Sequence, residues 1–159
     1  MQLGTNMEVN ITRTLGLDVG DSRIGVALSD PLGIMATPLT IISRQDSEAD
    51  MQAVIDIVRK NDVGRIIIGL PLSMDGTLGA QAEKVKDFTA ALRRHTDLPV
   101  EFRDERLSTV LAKRIVQSVR KTNRGTRYDA AAAALILQSY LDDIAQTQGR
   151  DDDPGSGIE

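Results

Sequence analysis

The segment Arg65-Ile66-Ile67-Ile68-Gly69 constrains the fold more than any other part of the chain. Successive residues of a strand point to opposite faces, so three adjacent isoleucines make a strand that is apolar on both sides. Such a strand is stable only when both sides are covered, as in a parallel sheet with helices packed on it. The remaining elements should therefore supply further strands of one sheet and helices for its faces.

The rest of the sequence provides them. Residues 14–19 and 23–29 read as two strands joined by the tight turn Gly20-Asp21-Ser22. A third strand is expected over 39–42, after the bend between Pro31 and Pro38. A helix follows from Ser47, with Asp50 as its capping-box partner and Met51, Val54, Ile55 and Val58 on one face. After the isoleucine strand, the loop 70–79 carries Pro71 and the turn pair Asp75-Gly76. Ala82, Val85, Phe88 and Leu92 mark a second amphipathic helix, and 99–103 reads as a fifth strand. Ser108 or Thr109 would cap a third helix with Leu111, Ile115 and Val119 inward, and a last helix is expected over 128–145. The order β-β-β-α-β-α-β-α-α indicates an α/β fold, a mixed five-stranded sheet flanked by helices with a hairpin meander at one edge. Residues 1–13 read as a leader, 14–147 as a single domain and 148–159 as a disordered acidic tail.

Composition narrows the chemistry. There is no cysteine and one histidine, His95, so thiolate catalysis, disulfides and cysteine- or histidine-rich metal sites are excluded. A metal would have to sit on oxygen ligands, which points to a hard cation, Mg2+ or Mn2+. No apolar run approaches the roughly 20 residues that span a bilayer, and the N-terminus lacks a secretory pattern. A cytoplasmic protein without a membrane partner is expected.

Three carboxylates stand where chemistry is done in such folds. Asp18 shares a strand face with Gly16 and Gly20, so the space around it is open, and glycine there suits close approach of a ligand or another backbone. Strand interiors disfavour aspartate, although an aspartate opening a hairpin turn would also be ordinary. Glu105 follows the fifth strand at its carboxyl end, where open α/β sheets place ligands, and a solvent-facing loop acid is the plain alternative. Its neighbour Asp104 competes with it, and position alone does not choose between them. Asp129 leads a helical face continued by Ala132, Ile136 and Tyr140, a stripe expected to be buried, whereas an acid placed only to complement the helix dipole could equally face solvent. Clustered, these charges would repel by about 4 kcal/mol per pair at about 4 Å and an effective dielectric near 20. Two bound magnesium ions bridged by one carboxylate would relieve that repulsion and serve phosphodiester hydrolysis.

The net charge of −4 argues at first against a nucleic-acid partner. Its distribution reverses that: 149–159 carries −3 and leaves −1 for the rest. Between Glu105 and Asp129 there is no acid, while Arg106, Lys113, Arg114, Arg120, Lys121, Arg124 and Arg127 are all cationic. A solvated helix face would look similar, but a cationic stretch between two carboxylates is what a phosphodiester substrate requires. With aromatics at 3%, phosphate contacts rather than base stacking should dominate binding. His95, beside Arg93 and Arg94, reads as surface, as do Asp142 and Asp143, and Asp75-Gly76 as a turn.

The same residues resemble the YqgF family, also called RuvX-like Holliday junction resolvases or pre-16S ribosomal RNA nucleases. The matching stretches are Leu17-Asp18-Val19-Gly20 with Arg23-Ile24-Gly25-Val26-Ala27, and Ile68-Gly69-Leu70-Pro71-Leu72-Ser73-Met74-Asp75-Gly76. They continue through Asp104-Glu105-Arg106-Leu107-Ser108-Thr109 to Asp129 with the alanine run and Ile136-Leu137-Gln138-Ser139-Tyr140-Leu141. The resemblance implies a ribonuclease-H-like fold, carries the acidic roles to Asp18, Glu105 and Asp129, and implies a function near ribosomal RNA maturation or junction resolution. Precursor ribosomal RNA is the favoured partner and branched DNA the alternative, for a monomer or weak homodimer.

Two other function classes compete. Asp18-Val19-Gly20 before a strand also resembles the phosphate hairpin of the actin and sugar-kinase group, which closes two such domains around a nucleotide, and this chain has room for one. A non-catalytic RNA-binding assembly factor with the same fold is the other, against which the three carboxylates argue.

Overall fold

A computed structural model describes residues 12–73, 75–105 and 126–151, with side chains of the last helix described over 130–147. Five strands form one sheet: β1 (Arg13–Val19), β2 (Arg23–Ser29), β3 (Ala36–Ser43), β4 (Val63–Leu70) and β5 (Val100–Asp104), in the order β3-β2-β1-β4-β5. β1, β2 and β3 form an antiparallel meander, while β1–β4 and β4–β5 are parallel. Helix α1 (Ser47–Lys60) carries the chain from β3 to β4, and α2 (Ala80–Arg93) from β4 to β5. The long helix α3 (Thr126–Asp151) is the last described element. The expected third helix and the cationic positions 106–124 lie outside the described residues, as do 1–11 and 152–159.

The isoleucine run does what its pattern requires. Ile66 and Ile68 join the core beneath α1 and α2 with Leu15, Leu17, Met51, Val54, Val85 and Leu92. Ile67 points the other way, into a second core with Ala27, Ala133, Ile136, Leu137 and Leu141 beneath α3. All three isoleucines are fully buried, and each such burial contributes about 1.5–3 kcal/mol.

Three boundaries differ from the sequence expectation for identifiable reasons. β3 begins at Ala36 rather than 39 and runs through Pro38. It is an edge strand with an irregular register opposite Val26 and Ala27, where a missing N–H is tolerated. The cap of α1 is Asp46, whose carboxylate accepts from the Ala49 N–H at 2.8 Å. Asp50 is instead buried and paired with Arg44. α3 extends past the expected 145, to Asp151.

Candidate active site

Asp18 is the penultimate residue of β1, on the face that α3 covers. Two residues earlier, Gly16 makes that cover possible: a Cβ there would lie 2.8 Å from Leu137 Cβ and 3.1 Å from the Ala133 carbonyl. The openness inferred around Asp18 is thus used, at Gly16, by the backbone of α3. Gln138 bonds the Ile34 carbonyl and the Ala36 N–H near the start of β3, while Leu141 approaches Gly33. α3 therefore runs antiparallel to β1, and its first turn, with positions 127 and 129, stands toward the Asp18 end of the sheet. The side chains of Arg127 and Asp129 lie outside the described residues.

The buried seam of α3 is Ala130, Ala133, Ile136, Leu137 and Leu141. Ala132 and Tyr140 are half-buried and flank the buried Ile136 along one border of the contact. That border faces β4: Ile136 Cδ1 would lie 2.5 Å from a Cβ at Gly69.

Glu105 meets Ile136 over the same glycine, its Oε1 also 2.5 Å from that hypothetical Cβ. β4 separates β1 from β5, and Gly69 lies one step beyond the last registered pair, Leu17–Ile68, next to Asp18. The absence of a side chain at Gly69 thus lets a carboxylate from β5 cross β4 toward a carboxylate on β1. Burial pushes the Glu105 carboxyl up to about 7, helped by the Asp18 charge, by a hydrogen bond from protonated Glu105 to Asp18, and by the Asp104 charge. Glu105 is therefore partly protonated near neutrality and donates to Asp18. Arg103 reaches α3 through Ser139 at 2.8 Å, so strand alternation turns Asp104 to the opposite face. Of the two neighbouring acids, Glu105 is the one brought to Asp18.

Of Asp18, Glu105 and Asp129, the first two have described side chains. Among the described residues no group of three carboxylate or histidine side chains is arranged to hold a metal ion. Gly69 escaped the sequence reading, although a glycine closing an isoleucine strand carries the same close-approach signal as Gly16 and Gly20.

Other candidates fall elsewhere. His95 lies in the turn just after α2, 2.9 Å from the Ala91 carbonyl and 3.4 Å from Glu48, and lines a cleft of about 620 Å³ where β4 and β5 begin, at the end of the sheet away from Asp18. Asp75-Gly76 is the expected turn, with Gly76 at φ 87° and Asp75 accepting from Thr77. Asp142 and Asp143 are exposed as expected but engaged, by Gln138 and Arg103.

The family model described as RuvX, Holliday junction resolvase, matches residues 12–143. A Moorella thermoacetica protein named "Putative pre-16S rRNA nuclease" is 47% identical over 136 residues, covering 84% of this chain and 97% of its own. A Desulforamulus reducens protein of the same name is 48% identical over 136 residues, covering 84% and 99%. Among solved structures, the fold is similar to Thermus thermophilus RuvC in complex with a Holliday junction substrate, with a TM-score of 0.56 at 14% identity over 82% of this chain and 96% of that one. The yeast mitochondrial Holliday junction resolvase Ydc2 gives 0.60 at 10% identity over 87% and 81%. At such identities the likeness is one of fold, and that fold is the ribonuclease-H-like sheet expected from the sequence. With its model matched across Asp18, Glu105 and the whole sheet, the chain belongs to the RuvX family of Holliday junction resolvases.

Proposed function

We propose that this chain is a divalent-cation-dependent nuclease that hydrolyses phosphodiester bonds of precursor 16S ribosomal RNA, in the cytoplasm, at the 5′ end. The observation that carries the reading is the Asp18–Glu105 pair, with Glu105 reaching over Gly69 to hydrogen-bond Asp18. A fold gains nothing in stability by forcing like charges together in a half-buried place, and perturbed carboxylates at strand ends are where chemistry is done.

The donor set fits a hard cation. Asp18 and Glu105 offer only oxygen, and a divalent cation would offset the same repulsion that raises Glu105. Asp129, whose backbone stands toward the same end of the sheet, is the third ligand of this reading. Held by these carboxyls, Mg2+ or Mn2+ would supply an activated water and neutralise charge on the phosphate. The chain's own residues do the rest. Glu105 releases its proton from Oε as the site loads, Gly69 keeps both carboxyls on one side of β4, and α3 excludes water from the face beneath. Arg106, Lys113, Arg114, Arg120, Lys121, Arg124 and Arg127 would grip the phosphate backbone, which makes binding steeply salt-dependent.

The RNA substrate follows the names of relatives that share nearly half of the sequence. A second reading, cleavage of four-way DNA junctions, is favoured by the fold shared with a RuvC bound to such a junction. Paired cuts on a junction call for two sites related by a two-fold axis, hence a dimer.

The test is to incubate the protein with a precursor 16S 5′ fragment and with a synthetic four-way junction, each with magnesium, manganese or chelator. Metal-dependent cutting of the RNA alone is expected. Cutting of the junction alone would transfer the assignment to DNA, and binding without cutting under every condition would replace it with an RNA-binding assembly factor.

A further inference from the structure

We infer that Arg44 is a positioning residue for the acidic centre, locking the Gly20 end of the β1–β2 hairpin, and Asp18 with it, onto α1 through Asp50. The inference rests on the reading of Asp18 as part of that centre.

The need for such a lock follows from the sheet. β1 pairs with β4 only as far as Leu17–Ile68, whereas its pairing with β2 continues through Asp18–Gly25 and Val19–Ile24. From Asp18 onward β1 has lost β4 and is held in the sheet on one side only, by β2, which β3 backs at the same level. The turn is tied internally by the Gly20 N–H to the Arg23 carbonyl at 2.9 Å, which fixes its shape but not its place.

Arg44 fixes its place. Its Nη1 donates to the Gly20 carbonyl at 3.0 Å, and its backbone N–H donates to the Ser22 carbonyl at 2.9 Å. Its Nε donates to Asp50 Oδ2 at 3.1 Å, and the guanidinium lies 5.5 Å over the Phe88 ring of α2. Asp50 is 2% exposed and also accepts from the Gln45 N–H at 2.9 Å, so the anchor is itself immobile. Two further ties are weaker: Gln81 reaches the Val19 carbonyl at 3.5 Å, and Lys84–Asp21 is an exposed pair. A buried ion pair is a poor way to gain stability, and an apolar pair would seat α1 as well. Only a guanidinium, with its several donors in a fixed fork, serves a carboxylate and a backbone carbonyl at once.

The experiment titrates Mn2+ against the melting temperature of wild type, Arg44→Lys, Arg44→Gln and Leu92→Ala, and measures kcat and KM on the precursor 16S fragment. Leu92→Ala destabilises the buried face of α2 without touching the turn. Arg44→Lys should raise the Mn2+ midpoint roughly tenfold, the lower end for loss of a residue that orients ligands. Arg44→Gln should raise it further, with kcat falling in step and KM moving less than about twofold. Arg44 variants whose midpoint and kcat match wild type, or move no more than in Leu92→Ala, would reduce Arg44 to a structural role and overturn the proposal. A wild type with no Mn2+ response would overturn the acidic-centre reading itself, and this proposal with it.

Discussion

Glu105 lies over Gly69 so closely that one added carbon at position 69 would sit 2.5 Å from its Oε1. The carboxylate reaches Asp18 by crossing a strand that has no side chain at the crossing point.

Gly69→Ala should therefore disable the site without dissolving the sheet. The new methyl would meet Glu105 and Ile136 Cδ1, both movable side-chain ends, so the strand itself can stay. Displacing a reacting group by about 1 Å costs on the order of 100-fold in rate. Cleavage should fall by about that factor while the circular dichroism spectrum stays native. Full activity in Gly69→Ala would show that Glu105 need not cross β4.

The metal-free protein should lose stability as pH rises from about 4.5 to about 7. Glu105 titrates near 4.5 when unfolded and is pushed up to about 7 in the fold by burial and by Asp18. Between those values the unfolded chain has released the proton and the folded chain still holds it, so rising pH favours unfolding. The contribution is complete below 4.5 and gone above about 7. Glu105→Gln, which imitates the protonated state, should remove that part of the slope when denaturant midpoints are compared across pH. An unchanged slope would contradict the proton held by Glu105.

Magnesium should reverse the trend. Its ligands must be deprotonated, so the stabilisation it confers should grow with pH up to about 7 and release a proton on binding. Calorimetry in buffers of different ionisation enthalpy measures that proton directly. Binding with no proton release between pH 6 and 7 would place the cation elsewhere.

Much of this was legible in the sequence because it follows from local pattern. Alternation around Asp18 placed Gly16 on its face, and the isoleucine run required two covered faces. What escaped depended on contacts distant in sequence. Asp50 looked like a capping partner because it follows Ser47 by three residues; Arg44 claims it instead, and Asp46 caps the helix. Of the stripe expected through Asp129, Ile136 is buried and Ala132 and Tyr140 are half-buried, because α3 is aimed by Gly16, a residue on β1. Gly69 has meaning only once Glu105 is known to lie two strands from Asp18.

Gly16→Ala should loosen α3. A Cβ would lie 2.8 Å from Leu137 Cβ and 3.1 Å from a helix carbonyl, and backbone cannot swing aside. Overpacking of this kind costs about 1–3 kcal/mol, seen as a lower denaturant midpoint. Activity should fall further than stability does, because α3 carries Asp129. A variant as stable and active as wild type would contradict the close approach of α3 to β1.

The central claim is that Asp18 and Glu105 form the acidic centre of a cation-dependent nuclease. Its most direct test is the cleavage rate of Asp18→Asn beside wild type on the precursor 16S fragment, in magnesium and in chelator. Magnesium-dependent cutting by wild type, lost by at least about 1,000-fold in a folded Asp18→Asn, is the predicted result. Equal cutting by both proteins in magnesium would contradict it.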